Sequence, residues 1–595
     1  MARVLVIDDR DGIAEVVVNS LSESPLVELC LRAPQQEDGY AGHLSGGYGG
    51  LLRDEGIDTV IYSPPLRGRH LMTPDLEDAE SVFQQCSRMA IKKFILLSSA
   101  MIYGASPHNP GFISESRMIL RTDKQPIVRG WFDLEALAVG YMGQLSGQAI
   151  ELNILRPAAL LVPGGNDYFS RLFRSRIAVV LPGHDPTIQL LSPVDLAGAV
   201  RCAVEKGSGG VFNVAPKSVI TLRAALQLAE AKRFPASRLA QRVARSALTP
   251  LGLADPIDQL EYIRYSWTIS NQKITRDLRW TSQRSSVEAL RDFRIAETGY
   301  LRSDKVPSLE FDDFGMDPQY IAAFGRTLFK FLHDRYWRVE IQGLHHVPRS
   351  GRAVLVGVHR GFMPWDAVMT LHLVARRLSR YIRFLIHPGL IKFPFLFNFH
   401  TKLGGMIACQ ENADYVLKQD EMVGIFPEGI RGAFRLYRDA YELGKFGRDE
   451  FVKLALRHQA PIIPFVTVGS AEIFPIFKRL DWGWWKRRTE WPFFPLTPTW
   501  PLLPVPLPSK WHTQFLEPIH LENHYPPEAA DDPAIVHAIS QDVRCRMQEA
   551  INSMLRRRKS IFYGSVFEGR EGSETKLGEA LIYEKNLRYK ERLNL

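Results

Sequence analysis

The sequence predicts an α/β protein made of two domains in series, and three observations carry that reading. Its 595 residues are more than one ordinary hydrophobic core organises. From Met1 to about Arg302, short apolar strands alternate with amphipathic helical runs, the pattern of a parallel sheet wrapped by helices. Further on, two polar clusters, VHRGFMPWD (Val358 to Asp366) and IFPEGIRG (Ile425 to Gly432), each follow an apolar strand pattern, as two sides of one site would. The expected boundaries are a first domain over 1–302, a linker over 303–317 rich in acids and broken by Pro307, a second domain over 318–567, and a charged tail over 568–595.

In the first domain RVLVID, VELCLR, DTVIYSP and KFILLSS read as strands, with IAEVVVNSLSE and the run ending at Arg88 as the helices between them. FILLSSAMIYG, ELNILRPAALLVPGG, LPGHDPTIQLLSPVDLAGAV and GGVFNVAPKSVITL then resemble, in that order, the extended short-chain dehydrogenase/reductase family, including its nucleotide-sugar epimerases. The resemblance implies a Rossmann-like parallel sheet. It does not extend to the chemistry. The glycine-rich turn that approaches a pyrophosphate is here IDDRDGIA, with Asp8, Asp11 and Ala14 at the glycine positions and Gly12 nearby. A carboxylate about 4 Å from a phosphate opposes binding by roughly 4 kcal/mol at an effective dielectric of 20. Trp131 and Glu135 stand where the family has its Tyr-x3-Lys pair, and neither can do that pair's work. Ser98 and Ser99 read as hydrogen-bonding caps, and Asp8 and Asp9 as a solvated turn or, alternatively, ligands for a cation. VLVIDD also resembles the first strand of a phosphoryl-accepting receiver domain, but Tyr62 and Ser63 stand where that reading needs an acceptor Asp. No bound dinucleotide or metal is expected.

The second domain opens with PQYIAAFGRTLFKFLHDRYW, in which Ile321, Phe324, Leu328, Phe331 and Leu332 lie at helical spacing and predict a helix docked on the core. His359 and Asp366 give a base and a carboxylate to orient it, the pair needed to take a proton from an alcohol. On one continuous helix a seven-residue offset would separate them by roughly 10 Å. They meet only across a bend, with His359 at the end of the strand AVLVGV, Gly361 flexible, and Pro364 and Asp366 in the first turn of the next helix. In the second cluster Gly429 allows close backbone approach, while Glu428 and Arg431 supply a carboxylate and a forked cation.

These two clusters, with GGMIACQENA from Gly404, FVKLALRHQAPIIPFVTVGSAEIF from Phe451 and PLPSKWHTQFLEPI near the end, resemble the glycerolipid acyltransferase superfamily of the lysophosphatidate type. The family's blocks are usually Asn-His-x4-Asp and Phe-Pro-Glu-Gly-Thr-Arg. Here Val358 replaces Asn, the spacing is His-x6-Asp, Ile430 replaces Thr, and Gln410 stands where block II commonly has Arg. The resemblance implies that His359 is general base, that Asp366 orients it, and that Glu428, Gly429 and Arg431 position the acceptor. The donor would be acyl-CoA or acyl carrier protein and the acceptor a lysophospholipid or related glycerolipid, with no redox cofactor or metal. Removing either His359 or Asp366 is expected to abolish transfer and leave the melting temperature almost unchanged. The rivals are a non-enzymatic lipid-binding scaffold and a bifunctional NAD(P)-dependent reductase or epimerase joined to an acyltransferase.

Composition narrows the setting. Five dispersed cysteines, Cys30, Cys86, Cys202, Cys409 and Cys545, form neither a zinc spacing nor a disulfide framework and favour a reducing, cytoplasmic location. MARVLVIDDR enters a strand with no apolar signal region. A net charge of +9 without a nucleic-acid module favours an anionic membrane surface as partner. WGWWKRRTEWPFFPLTPTWPLLPVPLPSKW, with Trp482, Trp484 and Trp485 beside Lys486, Arg487 and Arg488, predicts an interfacial contact, because its prolines prevent a spanning helix. A final helix ending in Arg556, Arg557, Arg558 and Lys559 offers a second basic cluster to lipid. The protein is therefore expected to be peripheral or monotopic at the inner face of a membrane; oligomeric state is left open.

Overall fold

The structure, a computed structural model, describes residues 1–8, 13–33, 48–67, 72–89, 91–119, 121, 125–144, 150–206, 209–235, 257–299, 311–447, 449–499 and 505–567. Asp9, Asp11, Gly12, Trp500, residues 303–310 and the tail expected over 568–595 lie outside them. The chain divides into two compact units, Met1–Gly315 and Met316–Leu595. The last residues of the expected linker belong to these units: Phe314 packs edge-on against Phe112 of the first.

The first unit is built on a six-stranded sheet of β1 (Ala2–Asp8), β2 (Val27–Ala33), β3 (Thr59–Ser63), β4 (Lys93–Leu97), β5 (Glu151–Pro157) and β6 (Gly210–Val214), in the order β6-β5-β4-β3-β1-β2. Every neighbouring pair is parallel. That is the doubly wound, Rossmann-like arrangement, whose chain reverses direction across the sheet beside β1. Helices α1 (Ile13–Ser22), α2 (Leu76–Ser87), α3 (Pro126–Gln144) and α4 (Pro193–Glu205) cover it. β1 and β3 read as continuous apolar runs because both of their faces are covered, and Val4 to Ile7 and Val60 to Tyr62 are fully buried. Asp75 and Ser192 cap α2 and α4 through backbone N–H groups of their first turns.

The second unit carries a seven-stranded sheet of β7 (Glu340–Gln342), β8 (Ala353–Val356), β9 (Ile382–Ile386), β10 (Met406–Ile407), β11 (Met422–Ile425), β12 (Ile462–Val468) and β13 (His512–Phe515). The order is β7-β13-β12-β8-β11-β9-β10, parallel except for the antiparallel pair β12 and β13. The central strand β8 leads to His359, and its neighbour β11 leads to Glu428, so both polar clusters emerge from the C-terminal ends of adjacent strands. α5 (Trp365–Leu378), α6 (Gly429–Ala433), α7 (Gly483–Thr489) and α8 (Pro533–Arg557) belong to this unit. Trp337 and Trp511 stack at 4.4 Å in its core.

One sequence expectation needs correction here. The helix from Pro318 stops at Arg326, resumes over Leu328–Phe331 and passes into a π-helical turn, Leu332–Tyr336. The break at Thr327 rotates the buried face: Ile321, Phe329 and Leu332 are buried, whereas Leu328 and Phe331 point outward, Phe331 being 53% exposed. The π-turn brings His333 inside, 5.9 Å ring to ring from the buried His372 of α5, and neither nitrogen of His372 has a hydrogen-bond partner among the described residues.

Burial, together with the positive charges of His333 and Arg376, lowers the His372 pKa to about 3. An imidazole whose folded pKa lies below its unfolded value stabilises the fold above about pH 6.5. That contribution is lost as pH falls toward the folded value, because the unfolded chain takes up a proton that the folded chain refuses. The slope is on the order of 1 kcal/mol per pH unit. His372→Leu, which leaves no buried imidazole to charge, is expected to shrink the fall in melting temperature between pH 6.5 and pH 4, as measured by calorimetry.

Candidate active site

Between β8 and α5 the chain makes the bend that the seven-residue offset requires. Gly357 lies so close to Phe465 and Phe426 that a Cβ there would overlap both rings, so the backbone leaves the strand pressed against the core. Gly361 then turns with φ +71°, and Phe362 is held at φ +23° by a bond from the Met363 N–H to the Gly361 carbonyl. A non-glycine residue in that region is strained. Its ring is the anchor that holds it there, buried against Phe474, Trp491 and Phe434 with centroids 5.1, 5.7 and 6.1 Å away.

Across this bend His359 and Asp366 meet. The His359 Nδ1 lies 2.8 and 3.1 Å from the two carboxylate oxygens of Asp366, which also accept the N–H groups of Arg360 (2.8 Å) and Ala367 (3.0 Å). Asp366 is fully buried and can only accept as a carboxylate, so Nδ1 carries the proton and Nε2 the lone pair. The His359 side chain is 13% exposed, rests on the face of Phe426 at 5.4 Å, and makes no bond through Nε2 among the described residues. A neutral imidazole, fixed in its tautomer and offering Nε2 outward, is equipped to take a proton. Two details differ from expectation: the strand ends at Val356, three residues before His359, and Pro364 stands just ahead of α5 as its cap residue.

Glu428, Gly429 and Arg431 fall at the start of α6 and separate into different environments. Glu428 is turned inward: Oε1 accepts from Gly444 N (2.8 Å) and Arg435 Nε (3.2 Å), and Oε2 lies 2.7 Å from Arg360 Nη1, off the line of any N–H. Gly429 has φ +60°, a conformation glycine adopts without cost. Arg431 is exposed at a pocket of ≈ 530 Å³ that it shares with Arg479, Lys486, Trp491 and Phe493. Arg479 and Lys486 sit over the Phe493 ring at 5.0 and 5.5 Å. Gln410, in the block II position, is exposed at the first residue of its helix.

Arg360 was not singled out from sequence, and it ties the two clusters together. Its guanidinium is buried, bonded to the carbonyls of Ala440, His359 and Gly432 and paired with Glu428, while its own N–H holds Asp366. The signal was available: a cation in the apolar run VGVHRGF needs a carboxylate partner nearby. His400, also buried, lies within electrostatic reach of His359, and its pKa is pushed down to about 4 by burial and then by that neighbour.

In the first unit Asp8 departs from the solvated turn expected of it. It is buried, and its carboxylate accepts the Ala14 N–H at 2.8 Å, in the first turn of α1. Trp131 is buried on α3 with its indole N–H on the Met72 carbonyl. One turn on, Glu135 takes Arg156 through two bonds of 2.9 and 2.6 Å and accepts Ser98 Oγ at 2.6 Å. Ser99 caps a short 3-10 turn through the Met101 N–H.

Residues 338–468 match the family model described as Acyltransferase. An uncharacterized protein of Mycobacterium tuberculosis is 33% identical over 341 residues, covering 56% of this chain and 94% of its own length. Another, from Mycobacterium leprae, is 34% identical over 275 residues, covering 45% of this chain and 74% of that protein. Phytyl ester synthase 2 of Arabidopsis thaliana is 29% identical over 143 residues, 23% of this chain and 20% of that one. Among solved structures, a UDP-glucuronic acid 4-epimerase from Bacillus cereus aligns with TM-score 0.38 and 14% identity, covering 50% of this chain and 100% of its own.

Leaving Arg360 charged and unpaired in the interior costs more than removing both charges. Glu428→Leu alone is expected to lower unfolding free energy by about 3–5 kcal/mol, and the double substitution Arg360→Met with Glu428→Leu by clearly less. Urea denaturation of the two single variants and the double one measures the difference as a coupling energy.

Proposed function

Since this chain belongs to one family with the uncharacterized mycobacterial proteins and its C-terminal unit carries an acyltransferase domain, we propose that it transfers a fatty acyl group from a thioester of coenzyme A or acyl carrier protein to the hydroxyl of a lysophospholipid or related glycerolipid at a membrane surface. The observation that carries this reading is the His359–Asp366 pair, with Nδ1 held by a buried carboxylate and Nε2 left open. In the proposed reaction Nε2 removes the acceptor's hydroxyl proton as its oxygen attacks the thioester carbonyl. Asp366 stabilises the imidazolium. The C–S bond then breaks, an ester forms, and the leaving thiolate takes the proton back from Nε2, so the protein ends as it began.

The acceptor's phosphate is placed against Arg431, with Arg479 contributing positive charge in the same pocket; Lys486 is paired there with Asp481 at 2.7 Å, and Glu490 on the same wall is neutralised by Lys392 at 3.0 Å. That arrangement would make up for the cation missing at Gln410. Glu428 acts through Arg360 and the loop at Gly444, so its part in acceptor positioning is indirect.

Membrane contact is assigned to the hairpin of Lys478–Leu480 and Phe494–Leu496 and to α7, which lies between its strands. Phe477, Trp482 and Trp484 are 63, 50 and 52% exposed beside Arg479, Arg487 and Arg488. Apolar rings next to cations suit the headgroup region of an anionic bilayer. Among the described residues no helix is long and apolar enough to cross a membrane. The second basic cluster contributes less than its sequence promised: Arg558 is buried on Glu472 and Tyr441.

His359→Ala is expected to reduce turnover of lysolipid and acyl-CoA by about 10²- to 10⁴-fold at unchanged melting temperature, with product followed by mass spectrometry. Retention of more than half the wild-type rate would sink the mechanism. The expectation of an unchanged melting temperature does not extend to Asp366→Ala, which strands two buried N–H groups and should lower it. For the surface, Arg487→Glu with Arg488→Glu is expected to weaken sedimentation with anionic vesicles at least tenfold, each lost cation being worth about 1 kcal/mol, while transfer to a short-chain soluble acceptor continues. Unaltered vesicle binding would move the contact elsewhere.

A further inference from the structure

The N-terminal unit has a cleft of ≈ 240 Å³ that no step of acyl transfer uses. It opens at the C-terminal edge of the parallel sheet, where doubly wound folds receive their ligands. Its walls come from Ile13 at the start of α1, Leu66 beyond β3, Met101 beyond β4, Leu160 beyond β5, and the rings of Trp131 and Phe169. In a dinucleotide-binding domain the pyrophosphate would lie at the N-terminus of the first helix. Here the carboxylate of Asp8 takes the Ala14 N–H at 2.8 Å, so the protein supplies its own anion at that helix end.

Two further polar side chains of the cleft, Ser99 and Asp167, are engaged by backbone N–H groups, while Asn166 and Tyr168 add an amide and a phenol to its wall. Ser99 Oγ accepts the Met101 N–H at 3.2 Å, and Asp167 accepts those of Phe169 and Ser170 at 3.0 and 3.1 Å. None of the described lining residues is Lys, Arg or His. A phosphate or carboxylate entering the cleft would therefore meet no counter-charge among them, and would meet the carboxylate of Asp167 instead. The adjoining polar cluster does not change this, since the one cation in it, Arg156, is neutralised by both oxygens of Glu135. What the walls do offer is apolar surface, which favours an uncharged apolar ligand at about a fourfold gain in affinity per buried methylene.

We infer that this cleft binds the hydrocarbon chain of a neutral lipid, in the place where the fold otherwise seats a dinucleotide. The inference rests on the acyl-transfer reading above, in which the chain handles such groups, and on described walls that offer an anion no counter-charge. Trp131, which stands in a position where a phenol would serve oxidoreduction, here forms one wall of the chain's seat.

The test uses the full-length protein and 10-bromodecanol, whose bromine quenches an indole that it touches. Saturable quenching is expected, displaced by 1-decanol at least ten times more effectively than by 1-hexanol. The saturable component should disappear in Trp131→Phe, while 1-decanol still raises that variant's melting temperature. Ala158→Leu, which narrows the cleft, should weaken binding at least tenfold with the fold intact by circular dichroism; should it not fold, Trp131→Phe decides alone. His359→Ala should quench as the wild type does, so that failure of acyl transfer and failure of chain binding are read separately. A saturable component that survives Trp131→Phe, the lack of any saturable component in the wild type, or displacement by micromolar NAD or UDP-glucose would each overturn the assignment, the last by restoring a dinucleotide or nucleotide-sugar site; non-saturable quenching of the exposed Trp482 and Trp484 is common to all variants and is subtracted.

Discussion

The C-terminal site depends on a charge that the interior would otherwise reject. Arg360 lies inside the protein because three carbonyls and Glu428 surround its guanidinium. Its backbone N–H then falls on Asp366, and that carboxylate in turn fixes the His359 ring. Loop, helix start and second cluster are thereby joined by one side chain. The arrangement is costly to break in parts, since either partner left alone is a buried, uncompensated charge. This gives Glu428 a physical reason to be in the second cluster that is separate from any contact with substrate. It also explains why Gly432 and Gly444 accompany it: a Cβ at either would run into Glu428, Arg360 or Arg435.

Much of this was legible in the sequence. The alternation of strands and helices gave the parallel sheet of the first unit, and the apolar strands ahead of His359 and Glu428 placed both clusters at strand ends, which the structure shows to be neighbours. The need for a bend between His359 and Asp366 followed from helix geometry alone. What could not be read was direction. Sequence treats Glu428 and Arg431 as one motif, yet one is buried on Arg360 and Arg435 while the other faces a solvent-open pocket three residues later. Side-chain orientation in a five-residue helix is set by what packs around it, and that information sits at Ala440, Gly444 and Trp491, far along the chain. The break at Thr327 was hidden for a related reason: apolar periodicity predicts a face only while the helix stays regular.

The N-terminal unit shows that the residues that build a sheet and the residues that would bind its ligand are separate sets. A Rossmann-like sheet is specified by buried β-branched and apolar strands, and β1 and β3 to β5 retain these. Ligand specificity on such a sheet lies in a few positions that contribute little to that core. Here the carboxylate of Asp8 takes the Ala14 N–H in the first turn of α1. Glu135 is matched by Arg156 and Ser98. The charges of Glu135 and Arg156 are thus satisfied within the unit, in a polar network packed into its interior.

The two ends of the C-terminal unit's chemistry are joined by aromatic packing. Phe362, strained beside His359, contacts Trp491; Trp491 lies 5.8 Å from Trp485; Trp485 meets Phe494 edge-on at 4.9 Å; and Phe494 touches Trp482, which with Trp484 forms the exposed tip. A run of large rings in close contact is stiff, because none can turn without displacing the next. On the proposed membrane contact, rings at the tip that settle into a headgroup layer would therefore hold the His359 loop at a set distance from it, with the pocket of Arg431, Arg479 and Glu490 along the way. This is a reason for the four described tryptophans of the segment to run from exposed to buried: on the proposed membrane contact, Trp482 and Trp484 would meet lipid while Trp485 and Trp491 carry their position inward to the strained turn at Phe362.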